Sequence, residues 1–200
     1  MSAAAVDRLG GMGRWEPDAR GRLVQAAFAL YGERGFEQTT VSEIAERAGL
    51  TERTFFRHFA DKREVLFAGA EALRELITST VASAPASLAP IDAAAAGLEA
   101  AGARIQEGQE LAHQRQAIIA ASPELQEREL IKLASLASAL AEALRRRGVN
   151  EPAASLTAEA GIAVFKVAFE RWVDETDGQD LSRLIRDSLD ELKAVTAGRR

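Results

Sequence analysis

The chain of 200 residues contains no cysteine. That absence excludes a disulfide framework and any thiolate metal site. Histidine is almost missing as well, with only His58 and His113, so a histidine-rich zinc site is not expected and neither a metal nor another cofactor is predicted. Long apolar runs are lacking. The longest stretch without a charge lies between Glu75 and Asp92, spans 16 residues and holds Pro85, which is too short and too broken to cross a bilayer. No apolar segment followed by a cleavage site opens the chain, so a cytoplasmic protein with no membrane partner is the expectation. Positive charge is not in excess: 25 Lys and Arg stand against 30 Asp and Glu, for a net charge of −5. That average conceals a division. Residues 1–65 balance ten basic against ten acidic side chains, so the whole acidic excess lies after them. An N-terminal third without net negative charge is able to approach a polyanion. The sequence also lacks a P-loop, a G-x-S-x-G elbow and a dinucleotide-binding glycine turn, so no enzyme is expected.

What the sequence has in quantity is helical periodicity. Residues 1–16, with Gly10, Gly11 and Gly13, show no apolar period and read as a mobile tail. From Asp18, Leu23, Ala26, Ala27, Leu30 and Tyr31 recur at three- and four-residue spacing, and Gly32 with Gly35 is expected to end that helix. Thr40-Val41-Ser42-Glu43 is a capping box that opens a second, short helix closing at Gly49. Thr51 caps a third helix, Glu52 to about Phe59, and Asp61 opens a fourth running to about Ala82. Pro85 and Pro90 then interrupt the chain and mark an expected boundary between two parts, which the long fourth helix would couple mechanically. Further helices are predicted over 91–107, 109–121, 124–147, 153–176 and 181–196, and no stretch alternates as a strand would. The fold class is all-α.

The segment Val41 to Phe59, VSEIAERAGLTERTFFRHF, is the informative one. Ile44, Ala45 and Ala48 form the inner face of a short helix. Gly49 supplies the turn, where a positive φ costs little. Leu50, Phe55 and Phe59 fill the angle between this helix and the next. This is the logic of a helix-turn-helix, whose second helix enters the DNA major groove. The outer face of that helix is Glu52, Arg53, Thr54, Phe56 and Arg57. Arg53 suits guanine and Glu52 suits the cytosine amino group, while Thr40, Ser42, His58 and Lys62 rim the surface for phosphates. A tight helical hairpin with no DNA role would show the same spacing. Glu52, in the first helical turn, also has the simpler role of complementing the helix dipole.

The unbroken stretch RLVQAAFALYGERGFEQTTVSEIAERAGLTERTFFRHFADKREVL, Arg22 to Leu66, resembles the N-terminal domain of the tetracycline-repressor (TetR) family of bacterial transcription regulators. The resemblance implies a three-helix DNA-binding domain over 17–65, joined by a long helix to a helical ligand-binding and dimerisation domain over 66–200. It implies a homodimer on a palindromic double-stranded operator, acting as a ligand-released repressor. It places DNA contacts on Thr40, Thr51, Thr54, Phe56, His58 and Lys62. Phe56 stands where the family usually has tyrosine, which removes a hydroxyl contact to phosphate. Glu52 and Arg53 also depart from the family's usual pair. SPELQERELIKLASLASALAEALRRRGV and the later FKVAFERW are similar to a subgroup that includes regulators of mycofactocin clusters, some responsive to acyl-CoA esters.

In the C-terminal part, Leu156, Ala160, Ala163, Val164, Val167 and Trp172 share one face of a helix, and Ile162, Phe165, Phe169 and Val173 another. A helix apolar on two faces needs two partners. The last helix carries a stripe of Leu181, Leu184, Ile185, Leu189, Leu192 and Val195. Together these predict a four-helix dimer interface including Ala163, Val164, Val167, Leu181, Leu184, Ile185, Leu189 and Leu192. Burial of both faces within one subunit is the alternative. A small, mostly apolar effector, with an acyl-CoA-like ester as one form, is expected among Leu73, Leu76, Ile77, Leu98, Ile105, Ile118, Phe165, Phe169 and Trp172, although for each taken alone ordinary core packing is the simpler reading. Arg104, His113 and Arg115 are polar groups able to meet an anionic ligand, or simply to face solvent. A helical interaction protein without specific DNA binding is the rival reading of the whole chain.

Overall fold

The computed structural model describes residues 18–174 and 178–198; the tail expected over 1–16 lies outside them. Among the described residues every regular element is a helix. The chain divides into two compact units between Val65 and Leu66.

The first unit contains α1 (Ala19–Arg34), α2 (Val41–Arg47), α3 (Glu52–His58) and α4 (Lys62–Val65). α1 continues through Gly32 and stops at Gly35, where φ is 85°. Its apolar face supplies Leu23, Ala26, Ala27, Leu30 and Tyr31 to a core shared with Ile44, Ala45, Phe55 and Phe59. Side-chain caps set the starts of the short helices. Thr40 Oγ1 accepts the Glu43 amide at 3.3 Å, and the Glu43 carboxylate accepts the Thr40 amide at 2.9 Å. The Thr40 amide, and after it the Thr40 hydroxyl donating to the same carboxylate oxygen at 2.9 Å, hold the Glu43 carboxyl below the usual carboxylate range. Thr51 Oγ1 accepts the Thr54 amide at 3.2 Å, and Asp61 Oδ1 accepts the amides of Arg63 and Glu64.

The expected fourth helix is two helices. α4 ends at Val65, residues 66–69 form a turn, and α5 begins at Ala70. The interruption has a cause in the second unit. The Leu66 carbonyl accepts the Arg115 Nε at 2.8 Å, and the Phe67 ring, itself buried, lies under the Arg115 guanidinium at 5.1 Å. Both contacts fix the turn, so the single helix expected from Asp61 to about Ala82 is not formed.

The second unit holds α5 (Ala70–Ser83), α6 (Pro90–Gln106), α7 (Gln109–Ala120), α8 (Pro123–Arg146), α9 (Ala153–Asp174) and α10 (Leu181–Thr196). Residues 175–177, partly within the last expected helical span of 153–176, are outside the described set. α5 and α6 pack directly on one another, so Pro85 and Pro90 mark a loop within this unit rather than a boundary between parts. Arg147 fastens that loop by donating to the carbonyls of Val81, Ala84 and Pro85. α6 is central, touching α5, α7, α8, α9 and α10. It can do so because its inner face is made of Ala93, Ala94, Gly97, Ala101 and Gly102, all buried. A Cβ on Gly97 would lie 2.9 Å from the Ile77 carbonyl oxygen, and one on Gly102 would lie 2.8 Å from Ile185 Cδ1.

Two outcomes follow from this packing and capping. Gly97→Ala places a methyl against backbone that cannot yield as a side chain would. Overpacking costs about 1–3 kcal/mol, against roughly 1 kcal/mol gained in helix propensity. Net destabilisation in urea unfolding is expected, and stability equal to or above wild type would contradict the close approach. The lowered Glu43 carboxyl contributes stability above the ordinary carboxylate pKa, and that contribution is lost as pH falls through its lowered folded value. Hydrogen-exchange protection of the Thr40 amide should drop on acidification below about pH 4, and Glu43→Gln should remove that pH dependence.

Candidate functional site

The α2–turn–α3 segment is built by backbone hydrogen bonds and two long basic side chains. At the end of α2, Gly49 takes φ 66° and lets the Leu50 amide turn back to the Ala45 carbonyl at 2.8 Å. Arg22, reaching from α1, donates to the Ala48 carbonyl at 2.7 Å and clamps the same turn. Phe55 is fully buried beneath α3 and meets Phe59 with ring centroids 5.6 Å apart. These contacts hold α3 by its inner side. Its outer side is left to solvent: Glu52, Arg53, Phe56 and Arg57 are exposed and Thr54 is half-buried. Phe56 is 55% exposed, an unusual position for a phenylalanine on a seven-residue helix. Thr40, Ser42 and Thr51 are also exposed, with the two threonine hydroxyls engaged in capping. The structure thus brings these eight predicted residues together around two short helices.

Two predicted phosphate contacts are placed differently. The Lys62 ammonium donates to the carbonyls of Phe36, Glu37 and Thr39 at 2.9, 3.1 and 3.0 Å and sits 4.6 Å from the centre of the Phe36 ring. All three of its N–H groups are committed, so Lys62 pins the α1–α2 loop instead of presenting a free cation. Tyr31 completes that fastening by donating its hydroxyl to the Lys62 carbonyl at 2.9 Å. Burial pushes the Tyr31 phenol well above its ordinary pKa, with the nearby Asp61 charge adding to the effect. His58 has its Nε2 covered by protein and unpartnered, so that nitrogen does not face outward. Sequence reasoning missed Arg22 and Tyr31. Nothing in their spacing distinguishes a side chain that donates across the domain from one that only packs.

In the second unit the predicted effector-lining residues separate into two sets. Ile77 and Leu98 are buried core: Ile77 meets α6 at Gly97, and Leu98 packs where a Cβ on Gly161 would sit, at 3.2 Å. Leu73, Ile105, Phe165 and Phe169 are partly buried against that core, and Leu76 and Ile118 are half-buried. Trp172 is buried, yet its indole Nε1 has no partner, and His113 lies against it with ring centroids 4.6 Å apart. The two arginines named as candidates for an anion are engaged. Arg104 pairs with Glu107, and Arg115 holds Glu129 and the Leu66 carbonyl.

The expected dimer stripe of the last helix is corrected. Leu181, Leu184, Ile185 and Leu189 are buried within one chain, where α10 packs on α6 and α9, and Val164 is buried likewise. Burying such side chains stabilises by about 1.5–3 kcal/mol each, and surface already covered by its own chain cannot serve a partner. Ala163 remains exposed, Val167 is 50% exposed and Leu192 is half-buried. Leu156, at 65% exposure, extends the α9 stripe outward. Among the described residues no group of His, Cys, Asp and Glu is placed to hold a metal ion, and no helix is long and apolar enough to cross a membrane.

Comparison with known proteins places this geometry. Residues 23–68 match the family described as bacterial regulatory proteins, tetR family, and residues 88–197 match the MftR C-terminal domain. The HTH-type transcriptional regulator TcmR of Streptomyces glaucescens is 36% identical over 90 residues, which cover 45% of this chain and 40% of TcmR. The matched stretch therefore spans well under half of that relative. Among solved structures, a complex of SmeT, the repressor of a Stenotrophomonas maltophilia multidrug efflux pump, with triclosan has a TM-score of 0.64 at 22% identity, covering 88% of this chain and 90% of that one. Thermus thermophilus FadR in complex with lauroyl-CoA has a TM-score of 0.52 at 24% identity, covering 86% and 91%. These structural likenesses establish the fold. With a helix-turn-helix ahead of a C-terminal domain that alone spans residues 88–197, the chain belongs to the tetR family of bacterial regulatory proteins and carries an MftR-type C-terminal domain.

Proposed function

We propose that this protein is a sequence-specific DNA-binding transcription regulator, a repressor that sits on a palindromic operator as a homodimer and is released by a small effector. Residues 17–65 are the DNA reader and 66–200 the effector-binding and dimerisation domain. The observation that carries the reading is the outer face of α3. Arg53, Phe56 and Arg57 are exposed together on a helix whose opposite side is locked into its own core, which is what a helix entering the major groove requires. Family membership supports the same reading. Arg53 reads a base edge, Arg57, Thr40, Ser42, Thr51 and Thr54 serve the backbone or flanking edges, and Phe56 replaces a phosphate contact with an apolar one suited to a thymine methyl. Lys62 contributes by holding the reader's loop.

The dimer surface in this reading is the outward stripe of α9, Leu156, Ala160, Ala163 and Val167, joined by Leu192 and Val195 of α10. Spaced by four, three and four residues, the α9 positions lie on one face. A two-fold partner would set two α3 helices about 34–36 Å apart, one turn of DNA. An effector that prefers a conformation with another spacing releases DNA by as much as its differential affinity allows. The effector is small and mostly apolar. An acyl-CoA-like ester has the support of the FadR likeness, whereas the SmeT complex holds a different chemistry in a related fold.

Arg53→Ala should cost about 1–3 kcal/mol on the selected operator and relax preference at one base pair per half-site, measured by selection from a random DNA pool followed by titration. Replacing thymine by uracil at a contacted step should weaken the wild type and leave Phe56→Ala unaffected. Equal, sequence-independent losses in both variants would remove the base-reading roles. For assembly, Val167→Glu should yield a folded monomer with little operator binding, because its charge would be desolvated twice at a two-fold contact. Leu189→Glu should instead unfold the second unit. Sedimentation equilibrium with circular dichroism separates the two, and a wild type that stays monomeric at micromolar concentration yet binds a palindrome tightly would contradict the scheme.

A further inference from the structure

Three polar atoms in the second unit, on His113, Gln116 and Trp172, are buried with no partner, and two of them belong to rings in contact. Trp172 on α9 is 2% exposed, and its Nε1–H makes no hydrogen bond. The His113 ring meets the indole edge-on, at 4.6 Å and 69°, and its Nε2 is likewise covered and unpartnered. Gln116, three residues further on α7 and so on the same side of that helix, has an unpartnered Oε1. An indole N–H that is buried normally finds an acceptor, and a buried donor left unmade is costly.

The surroundings of these atoms are aromatic. Phe169 lies 5.7 Å from Trp172, and Phe165 stacks on Phe169 at 6.1 Å with the planes 20° apart. His113, Gln116, Phe165 and Phe169 are only half-buried, so the cluster lies at the edge of the core, where a side-chain shift would open the polar atoms to a ligand. Arg104 and Arg115 are already paired, so neither offers a countercharge to an anionic head group.

We propose that Trp172, His113 and Gln116 are the polar end of an effector site for a neutral planar aromatic molecule carrying a hydroxyl or carbonyl oxygen. This rests on the reading of residues 66–200 as the effector-binding domain and names its ligand class. The ligand oxygen accepts from Trp172 Nε1–H. A ligand hydroxyl donates to His113 Nε2 or to Gln116 Oε1, both able to accept. The ligand ring lies against Phe165 and Phe169 in an offset stack. A linear alkyl chain gains nothing from those ring faces, and a carboxylate or phosphate meets no free cation among the residues named.

The test uses the intact chain and calorimetric titration with a matched pair, 2-naphthol and 2-methylnaphthalene, which differ in hydrogen bonding and hardly in size. 2-Naphthoate and lauroyl-CoA are titrated alongside. 2-Naphthol should bind about tenfold more tightly than 2-methylnaphthalene and should weaken operator binding. His113→Leu and Gln116→Leu should each remove most of that preference while leaving 2-methylnaphthalene affinity and the thermal melt near wild type. Equal binding of the pair, a preference that survives in both variants, tighter binding of 2-naphthoate or lauroyl-CoA, or no binding at all would overturn the proposal. Binding that leaves operator affinity unchanged would overturn the effector role. Operator titration without any probe keeps the two readings apart. If DNA is bound and the probes fail, only the ligand class falls; if no DNA sequence is selected, the regulator reading itself falls.

Discussion

The Ile77 carbonyl of α5 and the backbone of α6 meet at a distance that leaves no room for a Cβ at Gly97, and the Ile185 side chain of α10 would have to move to admit one at Gly102. α6 is thereby a thin rod that α5, α9 and α10 can approach closely, and Gly161 of α9 repeats the device where Leu98 packs. Dispersion falls off steeply with even a small gap, so helices this poor in side-chain volume stabilise one another only by such proximity. The alanines and glycines of α6 read in the sequence as helix formers with a few breaks. In the folded chain they are the spacing rule for the second unit.

The parts of the fold that were legible in the sequence are those written locally. Thr40 with Glu43, Thr51 with Thr54, Asp61 with Arg63 and Glu64, and Gly49 each act within a few residues of themselves, and helix limits inferred from them fall within a residue or two of those observed. The α3 face is legible for the same reason. On a helix this short, burying Phe55 fixes which residues must point away. The misreadings all involve a partner distant in sequence. Nothing near Leu66 announces that Arg115, 49 residues later, will take its carbonyl and break the helix. Lys62 looks like any exposed lysine until the three carbonyls 23 to 26 residues earlier are seen to converge on it.

The C-terminal stripe is the instructive case. Periodicity identified the buried side of α10 correctly, from Leu181 to Leu189, but periodicity states only that a face is covered. Whether the cover comes from the same chain or from a second copy depends on tertiary geometry. α6, with no bulk of its own, leaves α10 room to settle inside the unit. The surroundings of His113 are hidden from the sequence for the same reason. A lone histidine on a polar helix reads as solvent-facing, and only the position of Trp172, 59 residues on, turns its Nε2 inward.

Because α10 spends its apolar stripe inside its own subunit, each chain completes its core before any partner arrives. In the proposed dimer, folding and pairing would then be separate equilibria, unlike an obligate dimer, whose stability is inseparable from protomer concentration. Dilution of the proposed dimer would release intact monomers rather than unfolded chains. Below the pairing constant, the number of DNA-competent dimers would rise with the square of the number of chains. A regulator paired in this way would sense its own abundance as well as its effector: a modest fall in copy number would thin out the dimers faster than the protein itself.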